Sequence, residues 1–431
     1  MHIYFSGIGG TGIGPLALVA KQAGYTVSGS DKQMSNYIEY LQEQGITDIH
    51  IGQSTDEIKA IDQKHKIDWL VYSSALPMEN PNHPELVYCM ENGIRTSKRD
   101  ELLNKILEDK NLKLIAIAGT HGKTTTTAMT VWLMQQAGIP ISYILPAKTS
   151  FAHMGAYDEA SEYFVYEADE FDRNFLAFNP ELSIITGVDW DHPDIYPTKE
   201  SYNDAFKEFL NQSKQSIMWQ VDVDRLGLNT TEAITVLESA HADIDLLGEV
   251  NRQNAWQAAV AVSKVSNTAA DKLIKDANRF PGVSRRFEQI APGLYSDYAH
   301  TAPKIRGALQ LGHEAAGDKL VVVYEGLHNT RQHFMKEDLV NLFDEVKHLF
   351  IVPSYLARED TSLELWKPVD LQAILSEKAR SHTTPMELND ELHQAIYKYL
   401  LDGNIVLCLT AGGGGSLDEW LRKSFAHYRQ A

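Results

Sequence analysis

Apolar runs too short for buried helices recur along the chain, each ending in glycine or small polar residues, with amphipathic stretches of helical length between them. The first run, residues 2–5, breaks into the glycine-rich turn 6–14, after which a helical stretch (15–24) and a second strand (25–31) follow. Strand, turn, helix and strand in that order predict a βαβ unit. Residues 67–72 continue the series and end in Ser73-Ser74. A further strand from Leu114 leads into Gly119-Thr120-His121-Gly122, and Lys123-Thr124-Thr125 opens a helix through Met134. Strands are expected next over 140–145, 163–169 and 182–192, whereas 213–247 gives no readable pattern. An alanine-rich helix spans 251–265, and the last third again alternates strands (293–300, 319–326, 348–354, 404–415) with helices that include 303–315 and 336–346. Such alternation predicts α/β architecture, with largely parallel sheets covered by helices on both faces.

The chain has 431 residues, enough for about two to four domains, each with its own core. A polar, lysine-rich break near 105–112 and the sequence Phe280-Pro281-Gly282 divide it into 1–108, 109–280 and 281–431. Cys89 and Cys408 are the only cysteines, which excludes a disulfide framework or a zinc module and fits the reducing cytoplasm. The N-terminus lacks a basic region and a cleavage site, and no apolar run reaches membrane-spanning length, so no membrane partner is expected. A formal charge of −19 argues against nucleic acid as a partner. Any polyanionic substrate must therefore be met by local cations.

The turn at 119–122 has what a phosphate needs. Gly119 and Gly122 leave backbone amides uncovered, a helix begins with its positive end there, and Lys123 adds a cation on what is expected to be an exposed loop. The Thr124 hydroxyl stands where P-loops place a Mg²⁺ ligand, although Ile117 in place of a further glycine shortens the loop. The alternative is a plain glycine turn before a threonine-rich helix. Gly7-x-Gly9-x-x-Gly12 with Asp31 ending the second strand has the layout of a dinucleotide fingerprint, whose amides meet a diphosphate whatever the rest of the ligand is. Ser73 and Ser74 fit a ligand-binding strand end or a polar turn equally. Glu167-Ala168-Asp169-Glu170 and Asp189-Trp190-Asp191-His192 both fall at strand ends, on the edge where α/β sheets place their active sites. A phosphate loop beside acidic clusters suggests Mg²⁺-assisted phosphoryl transfer, with Thr124 and Glu167 as ligands. By its chemistry alone His192 is better read as a hydrogen-bonded structural residue than as a ligand of a second ion.

These motifs, with Asn251-x-x-Asn254, GVSRRFE at 282–288 and DYAH at 297–300, occur in the order found in Mur ligases, and the chain resembles that family over nearly its whole length. It is most similar to the members that join L-alanine to UDP-N-acetylmuramate. The resemblance implies three domains: an N-terminal Rossmann-like one (1–108) for the UDP-sugar, a central P-loop ATPase-like one (109–280) for ATP and Mg²⁺, and a C-terminal Rossmann-like one (281–431) that closes over both. It implies UDP-sugar contacts from the backbone amides of Gly9, Gly10 and Gly12 and from Ser30, Asp31, Ser73 and Ser74. ATP contacts are implied for Gly119 to Thr125, Asn251, Asn254, Arg286, Asp297 and His300. The metal set becomes Thr124, Glu167 and His192, and Arg331 becomes the residue that pairs with the carboxylate of L-alanine. Leu145-Pro146-Ala147-Lys148-Thr149 replaces a glycine-rich loop of the family, and Phe206 stands where several members carry a modified lysine. A monomer or weak homodimer is expected. The rivals are a recycling ligase that attaches a tripeptide to the same UDP-sugar, and a non-catalytic nucleotide-binding module.

Overall fold

The computed structural model describes every residue except 74, 193–194, 357–358, 411–413 and 431, and every side chain but those and 36, 75, 429 and 430. Its strands form three sheets. The first joins β1 (His2–Ser6), β2 (Thr26–Asp31), β3 (Ile49–Ile51), β4 (Trp69–Tyr72) and β5 (Arg95–Lys98) in the order β3-β2-β1-β4-β5. All its pairings are parallel. Strand order reverses beside β1, so the glycine turn after β1 opens on the crevice where such sheets take ligands.

The second sheet contains β6 (Lys113–Ala118), β7 (Ile141–Ile144), β8 (Gly155–Ala156), β9 (Tyr163–Glu167), β10 (Leu182–Ile185), β11 (Gln215–Trp219) and β12 (Ile234–Leu237). Their order is β12-β11-β10-β6-β9-β7-β8, parallel except where β8 turns back on β7. The stretch 213–247 supplies β11, a short helix (Gln220–Leu226) and β12. The pattern of β12 is faint because it is an edge strand, buried only at its end, and has no continuous apolar face to display.

The third sheet contains β13 (Glu288–Ala291), β14 (Leu294–Asp297), β15 (Leu320–Leu327), β16 (His348–Tyr355), β17 (Thr383–Pro385) and β18 (Ile405–Leu409), ordered β13-β14-β18-β15-β16-β17. Strand β13 pairs antiparallel with β14, a hairpin the sequence does not announce, and the helix expected over 336–346 is only Lys336–Leu339. Val322 and Tyr324 face one hydrophobic cluster and Val321 and Val323 the other, so β15 is buried on both sides. That explains its unbroken apolar run.

The chain divides into two compact units, Met1–Ile244 with Gln253–Pro281, and Asp245–Arg252 with Gly282–Ala431. Within the first, one core runs from Ile3 and Phe5 through Leu102 and Ile106 to Ala116, Phe175 and Phe206, so the first two sheets share a hydrophobic interior. Phe206 is wholly buried and packs edge-on against Phe175, ring centres 5.1 Å apart. A charged side chain has no place there. Among the described residues no helix is long and apolar enough to cross a membrane.

A second network lies under the crevice of the first sheet. Glu85 is fully buried and accepts hydrogen bonds from Tyr4 Oη (2.7 Å), Ser6 Oγ (2.5 Å) and Ser30 Oγ (2.5 Å), tying β1 and β2 to the helix Pro84–Glu91. Burial raises its carboxyl above the usual range, and the hydroxyls pull it back. Glu85→Gln is expected to destabilise the chain by about 1–3 kcal/mol, because an amide cannot accept from all these hydroxyls. An unchanged melting temperature would show that the carboxyl is already protonated.

Candidate active site

Strand β6 stands between β10 and β9, so the loop that follows it is flanked by the acidic ends of both neighbours. Gly119 (φ +137°) and Gly122 (φ +78°) take backbone conformations that favour glycine, and Gly122 caps the helix Lys123–Gln136. A Cβ on Gly119 would lie 2.5 Å from Thr186 Oγ1, and one on Gly122 2.7 Å from Asn254 Oδ1. The loop is therefore packed as well as turned. The Thr120 hydroxyl is committed to Asp189 O (2.6 Å) and Tyr202 Oη (2.7 Å), and His121 Nε2 lies 3.2 Å from Asp189 Oδ2. These two residues fasten the loop to the far side of β10. Thr124 and Thr125 are buried in the first helical turn.

Lys123 departs from expectation. It does not project from an exposed loop; its side chain is only 12% exposed, and Nζ donates to Gly119 O (2.6 Å) and to Glu170 Oε2 (2.6 Å). Burial opposes its charge, but Glu170, Asp169 and Glu167 together hold the ammonium above the ordinary lysine range. Glu170 is fully buried; burial drives its carboxyl up while Lys123 draws it down, and the net shift is upward. Its Oε1 accepts no hydrogen bond from any described residue and lies 3.9 Å from His192 Nε2. His192 has φ +56°, a strained conformation for a side-chain-bearing residue, and its ring rests edge-on against Phe171. Glu167, at the end of β9, and Asp169, lowered by Lys123 and Arg99 against the effect of its burial, complete the cluster.

The glycine turn after β1 is tied to the end of β2 and to its own backbone. Gly7 N and Ile8 N donate to Ser30 O (2.9 Å each), Gly9 N to Asp31 Oδ2 (2.8 Å), Gly10 N to Gly7 O (3.0 Å), and Ile13 N and Gly14 N to Gly10 O (3.1 and 2.9 Å). The expectation that the amides of Gly9 and Gly10 stand open to a ligand is corrected: Gly9 N is donated to the Asp31 carboxylate and Gly10 N to Gly7 O. Asp31 and the Ser30 hydroxyl are likewise committed, to Gly9 and to Glu85. Ser73 lies just beyond β4, where its carbonyl accepts from Leu76 N, and Ser74 lies outside the described residues.

The remaining candidates lie on the other unit, except for Asn254, which packs on Gly122 in the first. Asn251 donates through Nδ2 to Leu247 O. Asp297, at the end of β14, accepts from Phe287 N (2.7 Å); burial raises its carboxyl and Arg286 opposes the shift. His300 is depressed well below ordinary histidine, first by burial and then by Lys304 and Arg331, so it is neutral and ringed by cations. Arg331 sits on the short helix Asn329–Phe334, which Glu359 holds through Thr330 N (3.0 Å) and Thr330 Oγ1 (3.3 Å). The fold thus brings Arg286, His300 and Arg331 together although 45 residues separate the first from the last in the sequence.

Residues 2–111 match the model of the Mur ligase family catalytic domain and residues 117–232 that of the Mur ligase middle domain. A UDP-N-acetylmuramate–L-alanine ligase of Cytophaga hutchinsonii is 31% identical over 400 residues, covering 83% of this chain and 84% of its own. The chain belongs to the Mur ligase family. A ligase of the same name from Clostridium perfringens is 28% identical over 451 residues, 95% of each chain. Among solved structures, UDP-N-acetylmuramate-alanine ligase MurC of Thermotoga maritima superposes over 100% of this chain and 99% of its own, with a TM-score of 0.76 at 23% identity. A murein peptide ligase of Psychrobacter arcticus gives 0.65 at 20% identity, again over 100% and 99%. Both likenesses establish the shared fold.

In this Mur ligase, Glu170 is the residue that pattern reasoning passed over. It stands in the same cluster as Glu167, and sequence offers no way to tell which of two carboxylates three residues apart turns inward. Glu85 gives no motif signal at all. Its one sequence trace is an acidic residue in the first turn of a short helix, an ordinary place for a carboxylate at the surface.

Proposed function

We propose that this Mur ligase uses ATP to join L-alanine to UDP-N-acetylmuramate in the cytoplasm. The observation that carries the proposal is relatedness to ligases of that name over 83–95% of the chain, together with a buried Lys123–Glu170 pair at the phosphate loop. Boundaries at 1–108, 109–280 and 281–431 give domains for the UDP-sugar, for ATP, and for the amino acid.

The reaction makes a poor electrophile reactive: the muramyl carboxylate attacks the γ-phosphorus of ATP and ADP leaves, then the amine of L-alanine attacks the resulting acyl phosphate, losing a proton and expelling inorganic phosphate. The barrier begins as repulsion, since two unit negative charges 4 Å apart repel by about 4 kcal/mol at an effective dielectric of 20. Lys123 answers it by turning its ammonium from Glu170 toward the transferring group, and the amides at the start of its helix point the same way. Among the described residues no three acidic, histidine or cysteine side chains converge as a ready metal centre. The donors present, Thr124, Glu167, His192 and the buried Oε1 of Glu170, suit an ion that takes few protein ligands. Mg²⁺ held by Thr124, Glu167 and His192 would supply further positive charge to the phosphate oxygens.

Arg331 is assigned the carboxylate of the amino acid, because a planar guanidinium pairs with both oxygens and so fixes the direction of the amine. Arg331→Ala is expected to raise the KM for L-alanine by about tenfold or more while that for ATP stays within twofold, since a hydrogen bond to a charged group contributes roughly 1.5–3 kcal/mol. Phosphate release from ATP with UDP-N-acetylmuramate and a panel of amines tests the whole proposal. L-Alanine should be the fastest donor. If L-Ala-γ-D-Glu-diaminopimelate were faster, the chain would be a recycling ligase and the role of Arg331 would fall.

A further inference from the structure

The helix Asn329–Phe334 has six residues, too few to hold its own direction, since an isolated helix shorter than about 12–15 residues is marginal in water. It is also entered through strain. His328, which joins it to β15, has φ +58° and ψ 129°, a conformation that a side-chain-bearing residue keeps only where its surroundings force it. Neither helix propensity nor the local backbone therefore sets where Arg331 points.

Tertiary contacts set it. From the sheet, Tyr324 Oη donates to Gln332 Oε1 (2.6 Å), and both residues are buried. From the loop after β16, the segment 359–366 is bonded along the helix. Asn329 is buried and uses both ends of its amide on that segment: Oδ1 accepts from Trp366 N (2.9 Å) and Nδ2 donates to Glu364 O (3.0 Å). His333 Nε2 lies 2.9 Å from the same Glu364 carbonyl, and its ring stacks on Trp366 with centres 3.9 Å apart. Thr330 Oγ1 accepts from Asp360 N (2.8 Å) and, like Thr330 N, donates to Glu359 Oε2. Glu359 Oε1 lies 3.6 Å from His328 Nδ1, so one carboxylate spans the strained residue and the first helical turn. Residues on either side of Arg331 are thus fixed to one segment of another loop.

We propose that the segment 359–366 is a clasp that aims Arg331, with Glu359 as a positioning residue for the capture of the amino acid's carboxylate. The inference rests on the assignment of that carboxylate to Arg331, and deepens it by naming what keeps the guanidinium in place. Bidentate pairing is directional: a planar fork that swings keeps its charge in the site but loses one of its two bonds.

Steady-state kinetics of the full chain with ATP, UDP-N-acetylmuramate and L-alanine test this on the wild type, Glu359→Ala, Glu359→Gln, Arg331→Ala and the double variants of Arg331→Ala with each Glu359 substitution. Glu359→Ala should raise the KM for L-alanine by about three- to tenfold and leave that for ATP within twofold. Glu359→Gln retains one acceptor oxygen and should raise it less. In the Arg331→Ala background either Glu359 substitution should change the KM for L-alanine by less than twofold, because a residue that acts through Arg331 then has nothing left to position. Should Glu359→Ala fail to fold, Glu359→Gln carries the same cycle. Effects that multiply in the double variant overturn the proposal, since Glu359 would then act on the donor or on the fold without Arg331. An unchanged KM for L-alanine in Glu359→Ala overturns it too. If Arg331→Ala by itself leaves that KM at the wild-type value, the assignment of Arg331 is wrong and the clasp falls with it, an outcome the single variant reports separately.

Discussion

Lys123→Ala is expected to lower turnover by about a hundredfold or more, and to destabilise the fold as well. The first effect is loss of a cation from the group being transferred, which amounts to several kcal/mol of barrier. The second follows from geometry: the substitution leaves Glu170 fully buried without the ammonium 2.6 Å away, and breaking a buried pair on one side costs about 3–5 kcal/mol. The two effects separate in the double variant Lys123→Ala/Glu170→Gln, which removes the stranded charge but restores no cation. Its melting temperature should recover most of the loss while turnover stays at the level of the single variant. A double variant that retains more than a few per cent of wild-type turnover would mean that Lys123 does not serve the phosphates.

Glu167→Gln is expected to raise the magnesium concentration for half-maximal activity by about tenfold or more, since the amide keeps the shape of the carboxylate and removes its charge. His192 calls for a different substitution. Its φ of +56° suits glycine better than a side-chain-bearing residue, so His192→Gly should relieve backbone strain while deleting the imidazole. Stability should hold and the magnesium requirement should rise. Titration curves that overlay wild type for both variants would place the ion elsewhere and return His192 to the structural role that its chemistry alone suggests.

Much of the site was legible because local chemistry demands particular residues. A tight phosphate turn needs Gly119 and Gly122 whatever the fold around it, and Lys123-Thr124 follows directly in the chain. Alternating strands and helices likewise imply parallel sheets, because a parallel crossover requires an intervening element. Strand β12 of the faint stretch 213–247, and the strands β13 and β17, escaped because edge and hairpin strands bury too little to carry a pattern.

By itself the sequence determined the α/β class, the βα turns and the residues gathered at each strand end, because these depend on neighbours a few positions apart. The tertiary structure decided what those residues do for one another. It placed β6 between β10 and β9, so that two acidic clusters flank one phosphate loop. It chose Glu170 to pair with Lys123, and laid Arg99 over Gly12 across 87 positions of chain. It also committed the amides of Gly9 and Gly10 within the protein, where the glycine motif had suggested an open cradle. The physical reason is common to all of these: a charge or a donor is satisfied by whatever the packed chain brings within about 3 Å, and strand order, not sequence distance, sets what that is.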